Sequence, residues 1–315
     1  MEWVNFARKH FLVSQKPILV VVVGPTAVGK TPISIELAKE FHCDILSADS
    51  RQFYREMSIG TAKPSEDQLQ MAKHHFVNNL SIHDSYSVGD FEQDVLNFLD
   101  VYFQKKPLAL LVGGSGLYID AVLKGFDDIP HVPETLRWQI MEEVKDNGLP
   151  SLVKELQEKD SVYFDLVDKE NTQRVVRALE VIRHTHKPFS SFLKKTKHKR
   201  NFEVVKIGLN TERSILYQTI DHRVDIMIQE GLLNEAKILY PHRKEYALQT
   251  VGYKELFDHV EGKHSLEEAI ELIKRNTRRF AKRQLTWFRR DAEIQWFENN
   301  ELEKIKAFLA ARLNF

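Results

Sequence analysis

The octapeptide Gly24-Pro25-Thr26-Ala27-Val28-Gly29-Lys30-Thr31 has the residue types and spacing of a P-loop, a turn that wraps a phosphate group. Its glycines let the backbone bend so that successive N–H groups, and the N-terminus of the helix that follows, converge on one anion. Lys30 adds a point charge, and the Thr31 hydroxyl is a hard oxygen donor that can ligate Mg2+. Pro32 falls in the first helical turn, where its missing N–H costs little. A second stretch, Ser47-Ala48-Asp49-Ser50-Arg51-Gln52-Phe53-Tyr54, places a carboxylate just beyond a short apolar run. There Asp49 can reach Mg2+ through water or take a proton from a nucleophile; a capping or turn aspartate is the competing reading. One expected acid is missing. Many P-loop nucleoside triphosphatases end a second apolar strand in a Mg2+-holding aspartate, whereas Leu108–Val112 here runs into Gly113-Gly114-Ser115-Gly116. That weakens nucleotide hydrolysis without excluding it, because Asp49 could supply the same oxygen.

The elements that must position these residues follow from apolar periodicity. Continuous apolar runs at Ile18–Val23, Cys43–Ser47 and Leu108–Val112 read as strands, separated by helical patterns at Ile33–Phe41 and Phe91–Phe103. Fully apolar strands alternating with helices imply a parallel sheet covered on both faces. Ligands of such sheets bind beyond the carboxyl ends of the strands, where the P-loop and Asp49 both fall. From Lys124 to about Arg200 the texture changes to polar linker and helix, with breakers at Asp127–Pro133 and helical patterns at 134–145, 151–159 and 173–184. This predicts an inserted helical subdomain over 124–201, between a first core segment, 1–123, and its continuation, 202–315. A returning strand at 204–209, helices at 214–230 and 233–239, and a final helix over 266–290 complete the expected order.

Charge is balanced overall, 45 basic against 45 acidic residues, but not locally. Lys274 to Arg290 holds eight Lys or Arg residues and no acid, with Phe280, Trp287 and Phe288 interleaved. Such a helix marks a localised positive surface suited to a phosphate backbone, once its aromatic side is packed inward. Gln173, Arg174 and Arg177 form a lesser basic face in the insert. The run Lys194–Arg200 reads as a solvated stretch, or as a loop facing nucleic acid. Arg223, at the edge of the stripe Leu216, Ile220, Val224 and Met227, reads from pattern alone as solvated or ion-paired. The single cysteine, Cys43, excludes an internal disulfide and suits a reducing compartment. The 13 histidines show no metal-ligand spacing, and no Ser/His/Asp or Cys/His arrangement can be assembled. No stretch approaches the ~20 apolar residues of a membrane span, and Met1–Ser14 lacks a secretory core, so a soluble cytoplasmic protein is expected.

Taken together, several segments resemble the tRNA dimethylallyltransferases. They are Gly24–Thr31, Ser47–Tyr54, Ile59-Gly60-Thr61-Ala62-Lys63-Pro64, Val112–Tyr118, Arg177-Ala178-Leu179-Glu180-Val181, Val251-Gly252-Tyr253-Lys254-Glu255 and Ala281–Phe288. The blocks at 60–64 and 282–287 are far more specific than the P-loop. The resemblance implies transfer of a dimethylallyl group from dimethylallyl diphosphate to N6 of adenosine 37, beside the anticodon of tRNAs reading codons that begin with U, with release of diphosphate. It implies that Gly24 to Thr31 and Arg223 hold the diphosphate, with Mg2+ on Thr31 and, through water, on Asp49. Asp49, Thr26 and Arg223 would be catalytic. Asp49, Ser50, Arg51, Gln52, Ser115, Gln173, Arg174, Val175, Val176, Arg177, Lys282, Arg283, Gln284, Trp287 and Arg289 would meet the anticodon stem-loop, and a monomer is expected. The stretch Val167-Asp168-Lys169-Glu170-Asn171 departs from the family pattern, which more often shows His-Pro-Asn-Asp. With no cysteine pairs for a C-terminal zinc finger, the bacterial type is implied. The competing readings are a small-molecule kinase, a prenyltransferase of free adenine nucleotides, and a non-catalytic RNA-binding protein with a vestigial P-loop. The first has no use for the basic helix, the second does not need the insert, and the last does not account for intact Thr26, Lys30, Thr31 and Asp49.

Overall fold

The computed structural model describes residues 16–127, 129–193 and 199–313. The N-terminal stretch, Asp128 and most of the basic run, residues 194–198, lie outside them. In chain order the elements are β1 (Ile18–Val23), α1 (Lys30–Glu40), β2 (Asp44–Ser47), α2 (Glu66–Met71), β3 (His74–His75), α3 (Val88–Tyr102), β4 (Leu108–Gly113) and α4 (Gly116–Lys124). Then follow α5 (Glu134–Asn147), α6 (Leu149–Lys159), α7 (Ser161–Leu166) and α8 (Thr172–Thr185). The chain continues through β5 (Glu203–Asn210), α9 (Arg213–Gln229), α10 (Leu232–Leu239), α11 (Tyr253–Val260), α12 (Leu266–Phe288), β6 (Gln295–Glu298) and α13 (Leu302–Leu313).

Among the described residues, six strands form one parallel sheet in the order β3-β2-β4-β1-β5-β6. The β-branched run of β1 sits at its centre, and its alternation feeds two cores. Leu19, Val21 and Val23 join one with Phe53, Phe91, Val95 and Leu99; Ile18, Val20 and Val22 join the other with Ile33, Leu37, Ile305 and Leu309. Both faces are therefore buried, as the unbroken apolar runs require. The register sets Val23 beside Gly113, and Val112 beside Ser47. The carboxyl ends of β1, β2 and β4 thus lie side by side.

The chain divides into two compact units, one of Met1–Lys124 with Lys199–Phe315 and one of Gly125–His198. The second is helical and has its own core, including Ile140, Leu152, Leu156, Val175, Val176 and Leu179. The stretch that departs from the family pattern serves this unit's packing. Val167 is buried in that core, and the Asn171 side chain caps α8 by accepting from Arg174 N–H at 3.2 Å. At the end of the basic run, Arg200 is not solvated: it pairs with Glu92 at 2.6 Å and donates to the carbonyls of Ala121 and Val122. The expected final helix stops at Phe288, two residues early, and β6 and α13 follow it. Gln-Trp-Phe-Glu is too short to show alternation, which is why β6 was not legible.

Candidate active site

The phosphate loop leaves β1 at Val23 and enters α1 at Lys30. Gly29 takes φ 94°, a left-handed conformation that a side chain would strain, and no side chain caps the first turn of α1. Its N–H groups are therefore left to an anion. The Lys30 ammonium folds back over the loop, donating to the carbonyls of Gly24 at 3.0 Å and Pro25 at 2.8 Å. Burial pushes its pKa down to about 8; the Asp49 carboxylate works against that fall and the Arg223 guanidinium adds to it. One carboxylate thus faces two largely desolvated cations, an excess of positive charge that an anion would relieve.

Arg223 corrects the pattern-only reading. The buried stripe Leu216, Ile220 and Val224 of α9 packs inward, and this turns Arg223 onto the loop, where it donates to the Thr26 hydroxyl at 3.4 Å. Its pKa is lowered by burial, with Asp49 opposing. Lys30, Thr31 and Asp49 line a single cavity of ≈ 50 Å³ together with Ser34, Ser47, Gln52, Pro64, His74 and Gly113. Asp49 also shapes its own loop, its carboxylate accepting from Arg51 N–H at 3.0 Å. Thr31 and Asp49 offer hard oxygens on that one cavity, a donor set that fits Mg2+.

Other expected contacts turn out to be supports. Gln284 does not face outward; it is buried, accepting from Thr26 N–H at 2.8 Å and donating to Gly114 O at 3.0 Å. A Cβ on Gly114 would come within 2.2 Å of the Gln284 amide, so a larger residue there would displace that side chain from its bonds. Gln52 accepts from Ser47 at 3.1 Å and donates to the carbonyls of Thr61 and Ala62, tying the Asp49 loop to the 60–64 block. Val175 and Val176 are fully buried in the helical unit, so their side chains cannot meet RNA. Arg177 is held by Glu180 at 3.0 Å and by Pro130 O, while Gln173 and Arg174 are exposed. Ser115 accepts from Ser50 N–H at 3.1 Å, and Arg51 lies over the Tyr246 ring. Trp287 donates to Asp120 at 3.1 Å; Lys282, Arg283 and Arg289 are exposed.

One support left no local signal. The Glu235 carboxylate accepts from the N–H groups of Ser58, Ile59 and Gly60 at 3.0, 2.9 and 3.0 Å, and from Tyr253 OH at 2.6 Å. It anchors the start of the 60–64 block from α10, and Tyr253 packs so close that a Cβ on Gly60 would meet its ring at 2.7 Å. Glu235 is an ordinary helical glutamate in sequence; only the approach of α10 to that loop gives it four donors.

A family model described as IPP transferase matches residues 52–291. A "tRNA dimethylallyltransferase" of Christiangramia forsetii is 50% identical over 297 residues, covering 94% of this chain and 98% of that one. One of Flavobacterium psychrophilum is 51% identical over 286 residues, 89% of this chain and 93% of the other. The crystal structure of a tRNA isopentenylpyrophosphate transferase from Bacillus halodurans superposes with a TM-score of 0.70 at 39% identity, covering 95% of this chain and 97% of that one.

Proposed function

The chain belongs to the IPP transferase family, and from that premise we propose how its residues transfer a dimethylallyl group from dimethylallyl diphosphate to N6 of the adenosine beside a tRNA anticodon. The observation that carries the reading is the convergence of Lys30, Thr31 and Asp49 on one cavity, with Arg223 on Thr26. The diphosphate lies in the loop Gly24 to Thr31, against the uncapped N–H groups of α1 and the two cations. The adenosine is splayed out of the anticodon loop, since a base stacked in a stem cannot enter such a cavity. Its N6 forms a bond to the allylic carbon while the carbon–oxygen bond to diphosphate breaks, the electron pair leaving on oxygen. Lys30, Arg223 and the loop N–H groups receive that charge already oriented, the larger contribution in such chemistry. N6 is a poor nucleophile because its lone pair is delocalised into the ring, so Asp49 taking its proton is the second contribution. Thr26, fixed by Gln284 at its N–H and by Arg223 at its hydroxyl, orients the diphosphate. Thr31 and Asp49 would hold Mg2+, which would neutralise part of the diphosphate charge.

The exposed Lys282, Arg283 and Arg289 of the α12 end, and Gln173 and Arg174 of the helical unit, are the phosphate-backbone contacts in this reading. No helix among the described residues is long and apolar enough to cross a membrane, and a monomer working in the cytoplasm is part of the proposal. Purified protein with Mg2+, labelled dimethylallyl diphosphate and unmodified tRNA is expected to place label on N6 of the anticodon-loop adenosine. Label staying out of the tRNA, with phosphate passing from ATP to a small acceptor, overturns the reading in favour of a kinase.

A further inference from the structure

We propose that His83, His242 and Glu245 form a surface Zn2+ site, built from residues outside the phosphate-loop machinery. One ligand atom from each lies within 4.8 Å of the other two. His83 Nδ1 stands 3.2 Å from Glu245 Oε1. Zinc bonds of roughly 2.0–2.2 Å in a tetrahedron hold neighbouring donors about 3.3–3.5 Å apart, so one edge of the site already has nearly the required spacing. The third donor must close by about 1.5 Å at most, a movement that rotation of an exposed imidazole supplies. The two rings are already in edge contact, with centroids 4.8 Å apart.

The donors are set on turns that hold themselves. Glu245 N–H donates to His242 O at 2.8 Å, which puts both of these ligands in one tight turn. His83 sits in the turn Ser81–Asp84, closed by Asp84 N–H on Ser81 O at 2.9 Å and pinned by Glu56, which accepts from Ser81 Oγ and Ile82 N–H. Two imidazoles and a carboxylate suit Zn2+, leaving a fourth position for water; the same nitrogens disfavour Mg2+ and Ca2+. The single cysteine does not compete, because Cys43 is buried and burial pushes its thiol up to about 12. Sequence spacing hid this site, since His83 and Glu245 lie 162 positions apart. It also touches the reaction's surroundings: the residue after Glu245, Tyr246, accepts from Arg51 Nη1 at 3.3 Å, two residues from Asp49. Bound Zn2+ would brace that turn.

The full chain, stripped with chelator and kept in excess Mg2+, is titrated with Zn2+ by calorimetry beside His83→Ala, His242→Ala and Glu245→Gln. The wild type is expected to take up one Zn2+ per chain with micromolar affinity. Each variant is expected to weaken it by more than about 10-fold, since even the loss of an outer-shell partner costs that much at zinc sites. Zn2+ is also expected to raise the melting temperature of the wild type and not that of His242→Ala. Circular dichroism checks folding, and the near-isosteric Glu245→Gln carries the test if a histidine variant is perturbed. Equal Zn2+ affinity in wild type and variants, or no uptake at micromolar Zn2+, overturns the proposal. Without Zn2+, and with Mg2+ present, turnover of His242→Ala is expected to match the wild type.

Discussion

The phosphate loop and the helix α12 are both rich in positive charge, and they hold it in opposite ways. At the loop, Lys30 and Arg223 are largely desolvated, and Lys30 is bonded to backbone carbonyls with its pKa lowered by burial. Along α12 the charges lie near solvent, and the helix itself divides. In its middle, Lys274 pairs with Asp225 and Arg278 with Asp221, both acids from α9. Toward its end, Lys282, Arg283 and Arg289 are exposed, with no carboxylate partner among the described residues. Desolvated cations are costly until an anion arrives, so they select a small, highly charged ligand in one place. Exposed cations cost little and act through a screened field, which suits a long polyanion.

The largest effect expected from this contrast is at the carboxylate facing the desolvated cations. Asp49→Ala should lower turnover by about 10²–10⁴-fold while tRNA affinity, read by filter binding, stays within a few-fold. Unchanged turnover removes Asp49 as the base. The next test uses pH. Because the Lys30 pKa is lowered to about 8, its ammonium is fully present below that pH and is lost above it. The KM for dimethylallyl diphosphate should therefore be flat below about pH 8 and rise roughly tenfold per unit above it, and Lys30→Met should abolish the dependence.

Two neighbours on α12 then separate buried support from exposed charge. Gln284→Ala leaves Thr26 N–H and Gly114 O without their partner and should cost about 1–3 kcal/mol in urea unfolding. Lys282→Ala should change stability by less than about 0.5 kcal/mol, weaken tRNA binding and reduce its salt slope by about 1. The smallest effect belongs to Lys274→Ala, whose charge is already paired with Asp225: tRNA affinity should not change measurably, and a loss equal to that of Lys282→Ala would erase the division of the helix.

The sheet was legible because its strands are buried on both faces. Ile18–Val23 and Leu108–Val112 are unbroken apolar runs that only a covered parallel strand explains. The loop residues were legible because their chemistry is local: glycines, lysine and threonine act within eight positions. Resemblance brought Arg223 and the 282–287 block to attention, yet it did not separate touching from supporting. Val175 and Gln284 stand next to exposed basic residues in sequence and are buried, because a helix turns each successive side chain by about 100°.

What the sequence determined by itself was the phosphate loop and the parallel sheet, which rest on periodicity and on contacts between near neighbours in the chain. The kind of reaction they serve came from the resemblance to a family. Tertiary structure alone decided which residues share work across the chain: Gln284 with Thr26 over 258 positions, Glu235 with the 58–60 turn, Arg223 with Thr26, and His83 with Glu245. A hydrogen bond or a metal donor set needs atoms a few ångströms apart, and for residues so distant in the chain only the packing of helices and turns around the sheet fixes that separation.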